Sequence, residues 1–245
     1  MVVTGGAKRL GRAIALECAR AGANVVITYR SSDAEARLAL GELQAVAPDA
    51  RFGAYELEIS DGTAVSRFAD EVFREYESVT GLVNNAAIFR RTPFDVMQES
   101  DFDEHIATNL KGPFLLCQAF GQRFLNGGNG SGGGSIVNMA DIHAIRPLAN
   151  YVPYCISKAG VVMLTQSLAK ALAPNVRVNC LCPGTILLPS ETQGEADEEA
   201  ELVKRIPFGR LGTAEEIAQA AVFLLGGPQF ITGVVLPVDG AQILR

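Results

Sequence analysis

Short runs of β-branched and other apolar residues alternate along this chain with longer segments of helical period, and that alternation constrains the fold more than any other feature. Strand–helix–strand units pair their strands in parallel, and a parallel sheet needs helices over both faces. The residues predict a strand at Met1–Val3, a helix over about Leu10–Ala21 closed by Gly22, a strand at Asn24–Tyr29, and a helix over about Asp33–Val46 stopped by Pro48. A strand at Arg51–Glu56 leads through Asp61, a good N-cap, into a helix to about Tyr76, and a strand at Gly81–Asn84 follows. The second half predicts a long helical stretch from about Asp101 to Leu125, a strand at Ser135–Met139, a helix over Tyr154–Leu172 and a strand at Val176–Cys182. A last helix over about Thr213–Leu225 precedes a strand near Val234–Val238. The expected fold is α/β, one domain over residues 1–245 with a doubly wound parallel sheet of about seven strands. A first strand of three residues is short, which suggests a gene start upstream of Met1.

Composition narrows the class of partner. The chain has 245 residues, 48% of them hydrophobic, enough for one sizeable core. Its formal charge of -6 comes without a basic tract, so nucleic acid is not an expected partner. Five cysteines form no CxxC pair and two histidines are too few for a metal site; an odd, unpaired cysteine count fits a reducing cytoplasm. No apolar run approaches the roughly 18 residues of a membrane span, and no signal-peptide pattern opens the chain. The loop Asn126–Gly134, six of whose nine residues are glycine, runs into a strand and offers no helix N-terminus to an anion, so it reads as a mobile surface connection. The acidic stretch Pro189–Glu201 lies after the sixth strand, where long connections often close over a site, and a lid is expected within 190–210.

Between the first strand and first helix stands Thr4-Gly5-Gly6-Ala7-Lys8-Arg9-Leu10-Gly11. Free backbone N–H groups and the helix dipole at such a turn can hold a pyrophosphate, so Gly5, Lys8, Arg9, Leu10 and Gly11 are candidate cofactor contacts. The plain alternative is a tight turn without a ligand. Arg9 occupies the place of the middle glycine of many dinucleotide folds, where its guanidinium could reach phosphate or an anionic substrate. The second strand ends Thr28-Tyr29-Arg30-Ser31-Ser32, with no carboxylate to bind a ribose 2′-hydroxyl. Tyr29, Arg30 and Ser31 suit a 2′-phosphate instead, and NADPH is the expected cofactor; the alternative is that Arg30 is a solvated charge.

In Tyr154-Cys155-Ile156-Ser157-Lys158 the phenol and ammonium lie four residues apart and share a helix face. A nearby ammonium favours the ionised phenol, giving Tyr154 a tunable proton. This string follows the glycine turn, Asn84-Asn85-Ala86 after the fourth strand, Asn109 in the middle helix and Asn138 on the fifth strand; Pro183-Gly184 and Val238-Asp239-Gly240 come after it. With those ordered motifs the chain resembles the short-chain dehydrogenase/reductase family from Thr4 to about Gly240. The resemblance implies a Rossmann fold, Tyr154 as proton donor, Lys158 on the nicotinamide ribose lowering the Tyr154 pKa, and Asn109 holding a water in a proton relay. It further implies cofactor contacts at Glu58 and Ile59 near adenine, at Asn85, Ala86 and Met139, and at Pro183, Gly184 and Ile186 around the nicotinamide. A homotetramer is implied as well.

Two departures sharpen this. Most of the family carries serine thirteen positions before the tyrosine, and 154 minus 13 is 141, here an aspartate; Glu58 stands where the family usually has aspartate. A carboxylic acid can deliver a proton to a ring nitrogen, which reduction of a C=N bond requires. Asp141, Arg9, Arg30-Ser31 and Phe89 together resemble the pteridine reductase branch, which implies a pteridine stacked on Phe89 and contacted by Arg9, Asp141, Tyr154 and Leu188. Plainer alternatives stand beside this: Asp141 as a loop cap, Phe89 as core, Arg90 and Arg91 as solvated charges, Cys180 and Cys182 as apolar filler, and His143 as a loop-positioning residue. Two other functions compete, a ketone or 3-oxoacyl thioester reductase and a non-catalytic NADPH-binding scaffold.

Overall fold

The computed structural model describes residues 1–127, 133–186 and 196–245, the side chains of 196–198 excepted. Among these residues seven strands form one parallel sheet: β1 (Val2–Val3), β2 (Val25–Tyr29), β3 (Phe52–Glu56), β4 (Gly81–Asn84), β5 (Gly134–Met139), β6 (Val176–Pro183) and β7 (Val235–Val238). Their order is β3-β2-β1-β4-β5-β6-β7, the doubly wound arrangement expected. The chain builds outward from β1 in one direction as far as β3, then returns to β1's other side with β4. Connections at the carboxyl ends of β1 and β4 therefore diverge, and that crevice is where an open α/β sheet binds ligands.

The described residues also form eight α-helices: α1 (Arg9–Arg20), α2 (Asp33–Val46), α3 (Gly62–Glu75), α4 (Glu99–Ile106), α5 (Gly112–Leu125), α6 (Val152–Leu172), α7 (Ala196–Val203) and α8 (Ala214–Gly226). On α1 the buried residues Gly11, Ile14, Ala15, Cys18 and Ala19 recur at helical spacing, and with Leu43 of α2 and Leu224 of α8 they pack one face of the sheet. The other face carries Val65, Phe68 and Val72 of α3 and Leu116, Phe120 and Phe124 of α5. Asp61 caps α3 as expected, accepting from the backbone N–H of Thr63 and Ala64 at 2.8 and 3.2 Å.

The sequence reading of one long helix over Asp101–Leu125 needs correction. The helix starts at Glu99 and is interrupted at Ala107–Lys111 by a π-helical turn. Pro113 is the physical reason: it has no N–H to give to the carbonyl of Asn109 four residues back, so the regular ladder fails there. The acidic stretch, read only as a lid, contains α7, while residues 187–195, Leu188 among them, lie outside the described residues, as does most of the glycine loop. The end of the expected lid packs on the C-terminal segment, where the Phe208 N–H donates to the Gly240 carbonyl at 3.2 Å and Arg210 forms a two-pronged ion pair with Glu216 at 2.9 and 2.6 Å.

Strand β6 is buried along its whole length and carries a charge into the core. The Arg177 guanidinium donates to the Leu224 and Leu225 carbonyls at 2.8 and 2.6 Å, closing the C-terminus of α8, where carbonyl groups lack intrahelical partners. Replacing Arg177 by Met is expected to take the guanidinium from the Leu225 carbonyl and leave the Leu224 carbonyl with the Ser135 hydroxyl at 3.2 Å alone, at a cost of about 2–3 kcal/mol of stability, read from the urea denaturation midpoint.

Candidate active site

The crevice between β1 and β4 is held by one threonine. Thr4, the residue after β1, accepts at Oγ1 from the backbone N–H of Asn85 and Ala86 at 2.9 and 3.1 Å. The Asn85 amide in turn donates to the Thr4 carbonyl at 2.9 Å. The glycine turn is therefore fixed against the end of β4. Gly5 has φ +63°, a left-handed conformation that suits glycine. A Cβ on Gly11 would lie 2.2 Å from the Gly5 carbonyl oxygen, so turn and helix touch backbone to backbone. Arg9, where a glycine often stands, also takes positive φ, +53°, and an L-residue is strained there. Lys8, the N-cap of α1, offers no side-chain hydrogen bond to the first turn. The helix N-terminus is thus left to an outside acceptor.

At the tip of β2, the Tyr29 hydroxyl donates to Asp33 at 3.1 Å, Ser31 is exposed, and Arg30 lies 3.9 Å from the Glu58 carboxylate. Glu58 also accepts from the Ser60 backbone N–H and hydroxyl at 3.1 and 2.8 Å. Arg30 and Glu58 are both more than two-fifths exposed and remain open to a ligand. The Ile59 side chain is buried in the core against Gly112, so only its backbone can serve a cofactor. Leu10 and Ile186 pack against the core next to the turn, and Gly184 sits where a Cβ would meet Asp239 at 2.6 Å.

Two of the candidate proton-transfer residues, Tyr154 and Asp141, are in direct contact. The Tyr154 hydroxyl donates to Asp141 Oδ2 at 2.7 Å, while Asp141 Oδ1 accepts from the His143 backbone N–H at 2.8 Å. Asp141 is thus both the loop cap and the partner of the phenol. His143 is itself fixed, with Nδ1 2.9 Å from the Arg146 carbonyl. Lys158 is buried and donates to the Met139 carbonyl at 2.8 Å. Asn109, in the π turn, uses both ends of its amide: Oδ1 accepts from the Ile88 N–H at 2.8 Å and Nδ2 donates to the Ile88 carbonyl at 2.9 Å. Its side chain therefore anchors the loop bearing Phe89.

Electrostatics departs from expectation in one respect. Burial, followed by the charge and hydrogen bond of Asp141, raises the Tyr154 phenol well above its ordinary value. The Lys158 ammonium, 5.8 Å from the Tyr154 ring centre, does not offset this, and burial holds its own pKa below the ordinary lysine value. Burial is the largest cause of the rise, ahead of the Asp141 carboxylate, so the expected lowering by Lys158 does not set the net direction in this unliganded state. Phenolate and carboxylate at this spacing would be adjacent like charges, so the pair keeps a proton between them.

Phe89 is not core; it is nearly half exposed and stacks on Tyr151 with ring centres 4.5 Å apart and planes 10° apart. Its ring also meets Tyr154 edge-on at 4.8 Å. Tyr151 went unnoticed in the sequence, although its place three residues before Tyr154, one turn along α6, is the signal that could have found it. Arg90, read as a solvated charge, is half exposed and pairs with Glu104 at 2.7 Å and Asp101 at 3.6 Å. Cys180 and Cys182 are buried on one face of β6 with sulfurs 3.9 Å apart. Among the described residues no cluster of three metal-ligating side chains occurs, and no helix is long and apolar enough to cross a membrane. A cleft of about 400 Å³ opens between Thr185–Ile186 and Phe208, Arg210 and Gly240; Tyr154, Asp141 and Phe89 are not in its walls, so it borders the site rather than forms it.

A sequence profile described as Enoyl-(Acyl carrier protein) reductase matches residues 5–241. A D-threitol dehydrogenase of Mycolicibacterium smegmatis is 34% identical over 100% of this chain and 92% of that protein. The chain belongs to the short-chain dehydrogenase/reductase family. Among its relatives is a 3-oxoacyl-[acyl-carrier-protein] reductase of Thermotoga maritima, 33% identical over 99% of this chain and 97% of that one. The acetoin dehydrogenase structure from Enterobacter cloacae superposes with a TM-score of 0.87 at 28% identity, covering 99% of this chain and 94% of that one. A Sinorhizobium meliloti structure described as a short-chain alcohol dehydrogenase reaches 0.91 at 29% identity, covering 100% and 96%. Members of this short-chain dehydrogenase/reductase family are oxidoreductases that use a nicotinamide cofactor, and this chain's turn fits one: backbone contact at Gly11 leaves no room for a side chain, and the first turn of α1 lacks a side-chain cap.

The coupling within the dyad has a measurable sign. Reduction needs Tyr154 protonated, and Asp141 raises its pKa, so Asp141→Asn is expected to move the alkaline limb of kcat/KM for reduction to lower pH. A limb unchanged in the pH–rate profile would mean the carboxylate does not act on the phenol.

Proposed function

We propose that this chain is an NADPH-dependent reductase of a pteridine, of the dihydrobiopterin, dihydromonapterin or dihydrofolate type. The observation that carries this reading is the 2.7 Å hydrogen bond between Tyr154 and Asp141, two acids at one point where most of the family has tyrosine and serine. A ketone asks for a single proton donor to oxygen, while a ring C=N asks for a proton on nitrogen, which a carboxylic acid can deliver. The exposed face of Phe89 supplies a surface for a flat ring, and Arg9 stands at the turn beside it as a contact for substrate and phosphate.

When bound, NADPH supplies a hydride to the ring. The first turn of α1 holds its pyrophosphate, Arg30 and Ser31 its 2′-phosphate, and Lys158 its nicotinamide ribose. Glu58 is a competitor for Arg30, and phosphate must take that guanidinium over. One proton accompanies the hydride, supplied to the ring nitrogen by the hydrogen-bonded Tyr154–Asp141 pair, and Asn109 holds the Phe89 loop and the relay in place. Exposed apolar side chains on α5 and α6, Phe114, Ile156 and Met163, serve as contacts between the subunits of a homotetramer. Five free cysteines fit a cytoplasmic enzyme.

A second reading has its own support. The Thermotoga maritima relative is named as a 3-oxoacyl-[acyl-carrier-protein] reductase, and carbonyl reduction by this chain, with Asp141 an incidental change, is its counterpart. A non-catalytic scaffold is disfavoured by the intact Tyr154, Lys158 and Asn109.

Following NADPH absorbance with dihydrobiopterin, dihydromonapterin and dihydrofolate separates the two enzymatic readings. Turnover of at least one is expected, and failure with all three removes the pteridine. Asp141→Ser should reduce pterin turnover by roughly a hundredfold; a carbonyl reductase would instead keep or gain activity on an acetoacetyl thioester. Arg30→Ala is expected to weaken NADPH about tenfold relative to NADH in steady-state KM, and an unchanged ratio would take Arg30 out of cofactor choice.

A further inference from the structure

His105 is buried beside Tyr154 and has no part in the chemistry described above. It lies on α4 with no exposed surface, and its Nδ1 is 2.6 Å from the Asp101 carbonyl, one turn back on the same helix. A carbonyl oxygen only accepts, so Nδ1 carries the hydrogen, and in that tautomer Nε2 is the acceptor. Nε2 lies across the ring from that contact, so it faces away from the backbone of α4 and into the layer where α4 packs on α6. There the His105 ring meets Tyr154 edge-on, with centres 6.5 Å apart and planes at 79°. Nε2 is buried and has no hydrogen-bond partner among the described residues.

A buried acceptor without a donor destabilises the fold, and a leucine of similar volume would remove that cost. None of the polar groups of the site reaches it within hydrogen-bond distance. Tyr154 donates to Asp141, Lys158 to Met139, and the Asn109 amide to Ile88 and Ser157. The donor that fits a single enclosed acceptor is water.

We propose that His105 is a positioning residue for the proton-transfer step: its Nε2 holds one buried water beside Tyr154, and this pair keeps the phenol seated against Asp141 while its proton leaves and returns. The proposal rests on Tyr154 as proton donor and is independent of the substrate.

The test uses the whole enzyme with NADPH and either dihydrobiopterin or an acetoacetyl thioester, whichever the wild type turns over. His105→Leu is expected to keep or raise Tm, hold both KM values within about twofold, and lose roughly tenfold in kcat. His105→Gln, whose Oε1 takes the place of Nε2, should recover most of that loss. Wild-type kcat in the Leu variant leaves His105 a packing residue and overturns the proposal. Equal losses in the Leu and Gln variants overturn it too, since shape rather than the acceptor would then matter. If the Leu variant does not fold, His105→Asn, which reaches only the Nδ1 position, replaces it and must be slower than the Gln variant; equal rates count against the proposal. Independently of any substrate, a high-resolution crystal structure of the wild type should show a water on Nε2, and a bare Nε2 there overturns the assignment.

Discussion

Everything that can happen in this molecule depends on Thr4 holding the ends of β1 and β4 in register. The sheet reverses its order between those strands, so no covalent connection ties the glycine turn to the loop after β4. Thr4 and Asn85 replace that connection with reciprocal hydrogen bonds, hydroxyl to two N–H groups and amide to carbonyl. From that point one arm of the site runs into α1 and the other into the loop bearing Phe89, itself held by Asn109. The cofactor end and the substrate end are thus two branches from one clasp, and the strained Arg9 lies on the first of them.

Much of the fold was legible because parallel strands buried on both faces read as short apolar runs and their crossover helices keep a strict period. The strand ends fell within a residue or two of their places. The long helix was misread because its interruption is a backbone event: Pro113 withholds one N–H, while the side-chain period continues across the π turn and hides the break. Helix α7 was missed because an acidic segment with few apolar residues reads equally as a loop.

The site was legible in identity and less so in state. Spacing put Tyr154 and Lys158 on one helix face, since four residues is about one helical turn, and the family resemblance pointed to Asp141 thirteen positions before the tyrosine. The direction of the Tyr154 pKa was not readable, because it depends first on how deeply the phenol is buried and then on the carboxylate beside it. Arg30 looked like a free cation in the sequence, but Glu58 is close by across the strand ends, a neighbour 28 positions away in the chain. Tyr151 and His105 were passed over because neither belongs to a motif; only packing reveals that both rings belong to one aromatic cluster with Phe89 and Tyr154.

The stack of Phe89 on Tyr151 bears on selectivity. A ring that displaces Tyr151 from Phe89 exchanges one aromatic contact for another, so the net gain from its flat face is only the difference between two similar dispersion energies. Any planar molecule of suitable size meets nearly the same exchange. Discrimination among such molecules then falls to their edges, to where each places a nitrogen or an oxygen against Tyr154 and Asp141, and affinity is set by heteroatom pattern more than by aromatic area.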